Sequence, residues 1–439
     1  MTAATDSRIA RRSVVAASFG NAMEWYDFSV YAFFASYIAG NFFTSGDPTS
    51  ALLSTFVVFG AGFVARPIGA ILVGIYGDRV GRKSALMLSI GSMGIGTLLL
   101  VVAPPVTLIG VGAPILLLAG RLLQGFSAGG EIGGAAAFML EHAPADKRGR
   151  YASWLQASMG LSNLLSAVIG FAITSFFPDS AVRDWAWRIP FLVGLLIIPV
   201  GLYVRRKLPE TAQFTAQRPE QRRNPLFTLL REHPMRILSG FLFSVQWTVC
   251  VYAFVIYLPT YYKEPAIGLG FTGQESFLAS LMGNIVLVAG CVAAGRLADR
   301  IGAKPLIVAS SLALLVLPVL LLLWLRAQPN LTVLLIVHTV LCASVAGFVG
   351  VAPSTLPRAF PVAVRSTGLA LSYNIAAIAF AGTTPALMTW ATVRLTTLAP
   401  ALWVMLGSVA SLVVIPLLVK QIRQVSEQES APRNDLSEV

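Results

Sequence analysis

The sequence predicts an all-α integral membrane protein with twelve transmembrane helices in two pseudo-symmetric six-helix bundles. Of its 439 residues, 56% are hydrophobic and only 12% are charged, whereas soluble domains carry about 25% charged residues. Apolar runs long enough to cross a bilayer, which takes about 20 residues, recur along the whole chain. One long polar stretch, residues 207–234, separates six of these runs from six others.

The polar stretch divides the chain into two bundles. The predicted spans cover residues 14–43, 51–76, 85–103, 110–141, 150–176, 187–206, 235–262, 274–298, 305–326, 331–355, 364–393 and 398–422. The predicted units are an N-terminal bundle (1–206), a cytoplasmic central loop (207–234), a C-terminal bundle (235–423) and a cytoplasmic polar tail (424–439). Because each bundle holds an even number of spans, we expect both to share one orientation in the membrane.

The basic residues lie mostly on one side of the predicted membrane. A net charge of +12 is, by itself, also typical of nucleic-acid-binding proteins. With a cytoplasmic N-terminus, 25 of the 32 Lys and Arg residues fall on the cytoplasmic side, five fall on the other side and two lie within spans. This is the positive-inside bias of membrane proteins. It predicts that both termini are cytoplasmic and argues against a nucleic-acid partner.

The sequence gives no support for an enzyme. Cys250, Cys291 and Cys342 all lie within spans, so they form neither a disulfide framework nor a metal-ligand spacing. Residues 125–129 match the G-x-S-x-G pattern, but they lack the strand-turn-helix context that gives this pattern its meaning. Neither a phosphate-binding P-loop nor a His-Glu-x-x-His motif occurs, which argues against an ATP-driven pump and a metalloprotease.

A short motif recurs at the same place in each half. Residues 77–83 read Gly-Asp-Arg-Val-Gly-Arg-Lys, and residues 298–304 read Ala-Asp-Arg-Ile-Gly-Ala-Lys. Pro144 and Arg148 in the first half also match Pro361 and Arg365 in the second. Two parallel halves related in this way enclose a central cavity, and rocking them against each other gives alternating access. The repeat therefore predicts a transporter.

Several motifs together resemble the major facilitator superfamily and, within it, the metabolite:proton symporters. The matching runs are residues 21–28, 66–69, 74–83, 121–131 and 187–191. They read Asn-Ala-Met-Glu-Trp-Tyr-Asp-Phe, Arg-Pro-Ile-Gly, Gly-Ile-Tyr-Gly-Asp-Arg-Val-Gly-Arg-Lys, Arg-Leu-Leu-Gln-Gly-Phe-Ser-Ala-Gly-Gly-Glu and Trp-Arg-Ile-Pro-Phe. The resemblance covers the whole chain and is concentrated in its first half. The run Ala-Pro-Ile-Leu-Leu-Leu at 113–118 is similar to members that carry citrate, tricarballylate or 2-oxoglutarate.

The resemblance implies a secondary active transporter in a bacterial inner membrane, functional as a monomer, with no cofactor. It implies proton-coupled uptake of a small organic anion, a di- or tricarboxylate such as citrate or 2-oxoglutarate. Two alternatives stay open: a zwitterionic osmolyte such as proline or a betaine, or a shikimate-like acid. Osmolyte carriers that resemble this chain in the same N-terminal motifs have a long C-terminal coiled coil, whereas the tail here is sixteen residues without heptads. This difference favours the organic anion and leaves the osmolyte as an alternative. A transporter-like membrane receptor is the alternative from another class.

The resemblance also implies a gate in the loop motif. Its residues are Gly74, Asp78, Arg79, Gly81, Arg82 and Arg148 in the first half and Asp299 and Arg300 in the second. We expect Asp78 and Arg79 to interact with a neighbouring cytoplasmic helix end, near Arg148 or Arg150. The second copy departs from the pattern at Ala303, where the first has Arg82.

Five Asp, Glu and Arg residues lie well inside predicted spans, away from their ends, where charged groups are costly and mark functional sites by default. They are Glu24, Asp27, Arg66, Arg121 and Glu131. From the helical rise, Glu24, Arg66 and Glu131 each lie roughly 15 Å from the cytoplasmic end of their spans, and Arg121 lies roughly 15 Å further out than Glu131. We therefore expect Glu24 and Arg66 to approach each other.

These residues have a functional and a structural interpretation. A carboxylate in a low-dielectric cavity can load and release a proton near neutral pH, which makes Asp27, Glu24 and Glu131 candidate proton carriers. A buried arginine offers a planar fork to a carboxylate, which makes Arg121 the candidate anion ligand. The structural alternative is a static pair of Arg66 with Glu24 or Asp27 that only joins the first two helices.

Polar side chains from both halves are expected to complete the substrate site. They are Tyr31, Gln124, Gln156 and Asn163 from the first half and Gln246, Tyr252, Asn284, Tyr373 and Asn374 from the second. Ordinary hydrogen bonding between helices is the alternative for each of them, and for His338 in the tenth span. Gly125, Gly129 and Gly133 are spaced by four residues, which favours close helix packing.

Overall fold

The computed structural model describes residues 18, 21–43, 46–80, 82–130, 143–206, 225–264 and 268–430, and the regular elements in these ranges are all helical. The first-half helices are α1 (21–42), α2 (Pro48–Val80), α3 (Arg82–Val102), α4 (Gly112–Ser127), α5 (Arg148–Phe176) and α6 (Ile189–Arg206). The second-half helices are α7 (Pro234–Lys263), α8 (Gly273–Ile301), α9 (Ala303–Ala327), α10 (Leu331–Ala359), α11 (Arg365–Arg394) and α12 (Ala399–Ser430).

The helices match the predicted spans one for one, and the predicted all-α membrane fold is confirmed. Within the described ranges, eight helices are each long and apolar enough to cross a membrane: α2, α5 and α7 to α12. Shorter apolar stretches, Met87–Val102 and Ala186–Leu196, cover the spans of α3 and α6. Large apolar side chains such as Val111, Leu196 and Val413 are more than two-thirds exposed, as expected for a surface that faces lipid rather than water.

Glycines let α4 pack tightly against α2. A side chain on Gly125 would collide with the backbone of Gly62, and one on Gly129 would collide with the backbone of Arg66. Such close backbone approach is the usual reason for small residues at a spacing of four in membrane helices. It brings the segment of α2 that carries Arg66 against the segment of α4 that follows Arg121.

The membrane helices α1, α7 and α11 each depart from regular α-geometry within their length. Phe34 leaves the helical conformation in α1, with φ −100° and ψ 13°. Residues Val251–Tyr257 of α7 and Ala377–Ala381 of α11 form π-helical turns. Such π-turns in α-helices frequently mark functional sites. The turn in α7 carries Tyr252, which faces the first half of the molecule.

The two halves contact each other at both ends of the bundle. We call the end where α2 meets α3 and α8 meets α9 the signature end, because it carries both copies of the loop motif. There the Asp299 carboxylate of α8 accepts hydrogen bonds from the Gly149 and Arg150 backbone amides at the start of α5, at 2.6 and 2.9 Å. An anion at a helix N-terminus is stabilised by the unpaired amides and the helix dipole.

At the opposite end, α7 closes against the break in α1. The Lys263 ammonium donates a hydrogen bond to the Phe33 carbonyl at 3.0 Å, and Thr260 donates to the Ala32 carbonyl at 3.5 Å. Nearer the middle, α2 meets α11 so closely that a side chain on Gly60 would lie 2.7 Å from the Gly382 carbonyl oxygen. In this structure the two halves are therefore also in contact at the end of the bundle opposite the signature end.

Candidate functional site

Two buried arginines occupy the centre of the first half. Arg66 of α2 is 1% exposed and Arg121 of α4 is 0% exposed. Their guanidinium carbons lie 4.7 and 4.3 Å from the centre of the Phe28 ring of α1, so one aromatic side chain contacts both cations. Cation–π contact at such distances is favourable, and more so when the cation is desolvated.

Further aromatic rings enclose the two cations. The Arg66 guanidinium also lies 4.3 Å from the Phe63 ring and 5.1 Å from the Trp25 ring. The Arg121 guanidinium lies 4.5 Å from the Tyr31 ring, and the Tyr31 hydroxyl is fixed by donating to the Thr55 carbonyl at 3.0 Å. Aromatic faces stabilise the charges, but they supply no acceptors for the guanidinium hydrogens.

Many of the guanidinium donors have no hydrogen-bond acceptor. Among the described residues, none accepts a hydrogen bond from Nε, Nη1 or Nη2 of Arg66, or from Nε or Nη2 of Arg121. Buried donors without acceptors are rare and costly. Five of them at one place indicate a site that is completed by an acceptor from outside the described chain.

The two acids of α1 have different partners. Glu24 lies 3.8 Å from Arg66, the pair that equal depth in the membrane predicts. Asp27 instead accepts a hydrogen bond from the Thr97 hydroxyl of α3. Both side chains are nearly inaccessible, at 5% and 3% exposure. The third predicted proton carrier, Glu131, lies outside the described residues.

A chain of hydrogen bonds joins Asp27 to Arg121. Arg121 Nη1 donates to the Gln124 amide oxygen at 2.5 Å, and the Gln124 amide nitrogen donates to the Thr97 hydroxyl oxygen at 3.0 Å. The Thr97 hydroxyl then donates to Asp27. The chain runs from α4 through α3 to α1, entirely within the first half. The Asp27 carboxylate and the Arg121 guanidinium are thus linked without a direct hydrogen bond.

The second half contributes aromatic and uncharged residues to this region. The Tyr252 ring in the π-turn of α7 lies 5.5 Å from the Phe63 ring and 6.2 Å from the Trp25 ring. Its hydroxyl has no hydrogen-bond partner among the described residues. Next to it, Trp247 stacks edge-on against Tyr373 at 5.1 Å. Tyr252 therefore places a hydroxyl of the second half beside the aromatic rings that enclose Arg66.

Two other predicted lining residues of the first half bridge helices. The Gln156 amide oxygen of α5 accepts a hydrogen bond from the Trp247 indole at 3.2 Å, across the boundary between the halves. Asn163 accepts a hydrogen bond from the Ser29 hydroxyl and so joins α5 to α1. The structure brings Gln156 to the interface between the halves and places Asn163 between two helices of one half.

The predicted residues of the second half are more scattered. Gln246 bonds to Ser311 of α9 and Ser408 of α12, and so faces away from the first half. The Asn284 amide nitrogen donates to a carbonyl of its own helix, at Ser280, while its buried amide oxygen has no partner among the described residues. Asn374 lies partly buried on α11. None of these three is brought to Arg121 by a hydrogen bond within the described chain.

Some other singled-out residues have contacts that fit a structural role. The His338 ring contacts the Tyr262 hydroxyl at 3.1 Å and the Cys342 sulfur at 3.6 Å, all within the second half. In the Trp187–Phe191 motif, the Arg188 guanidinium donates to the Val101 and Ala103 carbonyls at the end of α3. These bonds join the helices of one half to each other.

The predicted gate residues are only partly described. Asp299 bonds to the start of α5, next to Arg148, and the side chains of Asp299, Arg148 and Arg300 are all exposed. Gly74 lies within α2. Gly81 and the side chains of Asp78, Arg79 and Arg82 lie outside the described residues. The first-half gate thus stays a prediction, while its second-half copy is seen in contact with the first half.

Sequence reasoning did not identify Thr97, Thr260 or Lys263. Thr97 is one hydroxyl in an apolar helix, and such a hydroxyl commonly bonds only to its own helix. Lys263 stands at the end of a span, where lysines usually extend to the membrane surface. Nothing in the spacing of either residue distinguishes it, because its partners come from other helices.

A two-half helical membrane bundle with buried, incompletely bonded charges at its centre and contacts between the halves at both ends defines a membrane transporter, not an enzyme. Comparison with known families agrees. The family model described as Major Facilitator Superfamily matches residues 17–371. The chain belongs to this superfamily.

Named relatives and a solved structure refine the comparison. A protein named citrate-proton symporter from Klebsiella pneumoniae is 37% identical over 84% of this chain and 83% of its own. A putative proline/betaine transporter from Staphylococcus aureus (strain MSSA476) is 35% identical over 98% of this chain and 92% of its own. The structure of the proton:xylose symporter XylE, at 17% identity and a TM-score of 0.74, covers 95% of this chain and 96% of its own, and shares its fold.

Proposed function

We propose that this protein takes up a small organic anion, a di- or tricarboxylate such as citrate, together with protons. The observation that carries this proposal is the set of five guanidinium nitrogens on Arg66 and Arg121 that have no hydrogen-bond acceptor in the described chain. Carboxylate oxygens are the natural partners of such forks, because the pair is charge-assisted and can be bidentate. In this proposal, Arg121 binds one carboxylate and the Tyr252 hydroxyl contributes from the second half.

Two relatives support an organic anion as the substrate class. The Klebsiella pneumoniae protein named above is 37% identical to this chain, and a second protein named citrate-proton symporter, from Salmonella typhi, is 34% identical over 91% of it. Both names join a tricarboxylate to proton coupling. The proposed substrate class therefore rests on the buried cations, and the relatives agree with it.

A zwitterionic osmolyte is the second candidate, and the aromatic rings favour it. The Tyr252 ring lies 5.5 Å from the Phe63 ring and 6.2 Å from the Trp25 ring, and aromatic faces are the usual receptors for quaternary ammonium groups. Arg121 would then bind the single carboxylate. This chain covers 92% of the length of the relative named as a putative proline/betaine transporter, so that relative has no long extension that this chain lacks. The short C-terminal tail therefore does not distinguish the two substrate classes.

For proton coupling, we assign the carrier to Asp27 and a mainly structural role to Glu24. Glu24 lies beside Arg66, and an ion pair inside the membrane favours the charged form of its carboxylate. Among the described residues no cation lies within 4 Å of Asp27, and its hydrogen-bonded link to Arg121 there runs through the neutral side chains of Thr97 and Gln124. A buried carboxylate in that situation can exchange a proton when substrate arrives.

For alternating access, we propose that the signature end faces the cytoplasm and that each end has its own contact between the halves. The contact of Asp299 with the α5 N-terminus joins the two halves at the cytoplasmic end, and the contact of Lys263 with the α1 break joins them at the external end. Each contact combines a charged side chain with backbone groups at a helix end or break. We propose that one protomer, acting as a monomer in a bacterial inner membrane, suffices for the cycle.

A thermal-shift panel on the purified protein tests the substrate class. The panel contains citrate, tricarballylate, 2-oxoglutarate, succinate, shikimate, proline and glycine betaine. A ligand at 100 times its Kd stabilises the folded protein by about 2.7 kcal/mol, so we expect the di- or tricarboxylates to raise the melting temperature by several degrees. A rise with proline or glycine betaine alone would overturn the anion proposal in favour of the osmolyte.

Proton coupling gives a second prediction. An interior-negative potential opposes entry of an anion by about 2.3 kcal/mol per charge per 100 mV, so accumulation of a di- or trianion needs enough protons to neutralise it. In proteoliposomes we expect a protonophore to abolish citrate accumulation, and citrate entry to alkalinise the external medium. Accumulation that requires sodium and persists without a pH gradient would contradict proton coupling.

A further inference from the structure

The Thr97 hydroxyl stands at a branch point in the hydrogen-bond chain between Asp27 and Arg121. It has one hydrogen and two acceptor positions. Two acceptors lie within reach of that hydrogen: the Asp27 carboxylate, and the Met93 carbonyl of its own helix at 3.0 Å. Its oxygen also accepts from Gln124 at 3.0 Å. Thr97 is 0% exposed, so its hydroxyl is enclosed by these protein partners.

With an ionised Asp27, all hydrogen bonds of the chain run in the same direction. Arg121 donates to Gln124, Gln124 donates to Thr97, and Thr97 donates to Asp27. Hydrogen bonds in series polarise one another, and a charged acceptor at the end strengthens them. Gln124 therefore holds one arm of the Arg121 guanidinium firmly while Asp27 carries its negative charge.

Protonation of Asp27 removes the charged acceptor at the end of this chain. A proton on the carboxyl oxygen that faces Thr97 reverses the last bond, so that the carboxyl donates to the Thr97 oxygen and the Thr97 hydrogen turns to the Met93 carbonyl. A proton on the other oxygen, which has no partner among the described residues, leaves Thr97 donating to a neutral group. In both cases the polarisation that strengthened the bond from Gln124 to Thr97 is lost, so Gln124 holds Arg121 less firmly and the guanidinium fork is freer to bind a substrate carboxylate.

The groups described around Asp27 offer few other ways for its protonation state to affect Arg121. From α1 itself comes the Tyr26 ring, whose hydroxyl is committed to the Pro190 carbonyl at 2.8 Å. From α6 comes Gly194, which has no side chain. From α4 comes the charge of Arg121. Within the part of the chain that the structure describes, the direct electrostatic effect of Asp27 on Arg121 thus acts alongside one hydrogen-bonded route, which passes through Thr97.

We propose that Thr97 is the positioning residue that couples the protonation of Asp27 to substrate binding at Arg121. This inference rests on the proposed symport function. By reciprocity, substrate binding at Arg121 draws Gln124 away from its present position and makes it easier for Asp27 to gain a proton. Symport then follows, because the substrate-loaded and the protonated states favour each other.

The test compares two transport modes in proteoliposomes with radiolabelled citrate, and with glycine betaine as the alternative probe. Counterflow exchange needs only substrate binding and reorientation, whereas accumulation driven by a pH gradient also needs coupling. We expect Thr97→Val, which keeps the shape and loses the hydroxyl, to retain counterflow within about threefold and to lose at least tenfold in accumulation. Thr97→Ser restores the hydroxyl and should restore accumulation.

The control is Ser92→Ala on the same helix, since the Ser92 hydroxyl donates to the Leu88 carbonyl of its own helix at 2.9 Å and to no other helix within the described residues. Both transport modes should be unchanged in this variant. If Thr97→Val is too unstable to reconstitute, Gln124→Met breaks the next bond and should uncouple transport in the same way. Normal accumulation in Thr97→Val, or in Gln124→Met where that variant is needed, overturns the inference. Wild-type protein that exchanges neither probe overturns the proposed function itself, a result that no Thr97 variant produces.

Discussion

Arg121→Lys is expected to weaken binding of the carboxylate substrate by at least tenfold, and Arg121→Ala to abolish measurable binding. Lysine keeps the charge but loses the planar fork, and a hydrogen bond to a charged group contributes about 1.5–3 kcal/mol, which corresponds to about ten- to a hundredfold in Kd. The measurement is calorimetric titration of the purified variants with the ligand that stabilises the wild-type protein in the thermal-shift panel.

Arg188→Lys provides the matched control for this prediction. Arg188 is a motif arginine of the same half, but its guanidinium bonds to backbone carbonyls at the end of α3 and not to the chain around Arg121. Its replacement should lower the melting temperature and leave the Kd unchanged. Binding equal to that of the wild-type protein in a folded Arg121→Ala variant would remove Arg121 from the site.

The helices could be predicted from the sequence because the bilayer restricts which segments can cross it. A span must be apolar over about 20 residues and must satisfy its backbone internally. The predicted span 274–298 and the observed α8, Gly273–Ile301, differ only at their ends. The break at Phe34 and the π-turn at Val251–Tyr257 could not be predicted in this way. They depend on contacts with other helices, such as that of Lys263 with the Phe33 carbonyl.

The charged part of the site could also be predicted, because an ionisable residue in a span is unusual enough to stand out. Counting helical rise placed Glu24 and Arg66 at equal depth, and the structure pairs them. The same count gave Arg121 no partner. Its link to Asp27 runs through Gln124 and Thr97, and that link depends on how α1, α3 and α4 are rotated about their axes.

Uncharged polar residues were the hardest to assign from sequence. Gln246 and Gln156 are both amides within spans, but the structure turns Gln246 toward Ser311 and Ser408 and turns Gln156 toward Trp247 across the interface between the halves. A membrane helix needs hydrogen-bond partners for an amide on whichever side it faces. Sequence therefore indicates that such a residue has a partner, but not on which side that partner lies.

The two acids of α1 should respond differently to loss of charge. In Glu24→Gln the neighbouring Arg66 loses its ion pair inside the membrane, and breaking a buried pair costs about 3–5 kcal/mol. We therefore expect a lower melting temperature and a parallel fall in counterflow and accumulation. Arg66→Met in the same molecule removes the buried charge and should restore much of the stability.

Asp27→Asn should instead separate the two transport modes. Asparagine keeps the shape of the neutral acid and can still bond to Thr97, and no ion pair is broken, so the melting temperature should stay close to that of the wild-type protein. The substrate-loaded carrier can still reorient, so counterflow should survive. Accumulation should fall at least tenfold, because a side chain that cannot release a proton cannot use the pH gradient. If Asp27→Asn is also unstable and Arg66→Met rescues it, both acids of α1 are structural. The coupling proton must then be carried elsewhere, and Glu131 is the remaining predicted proton carrier.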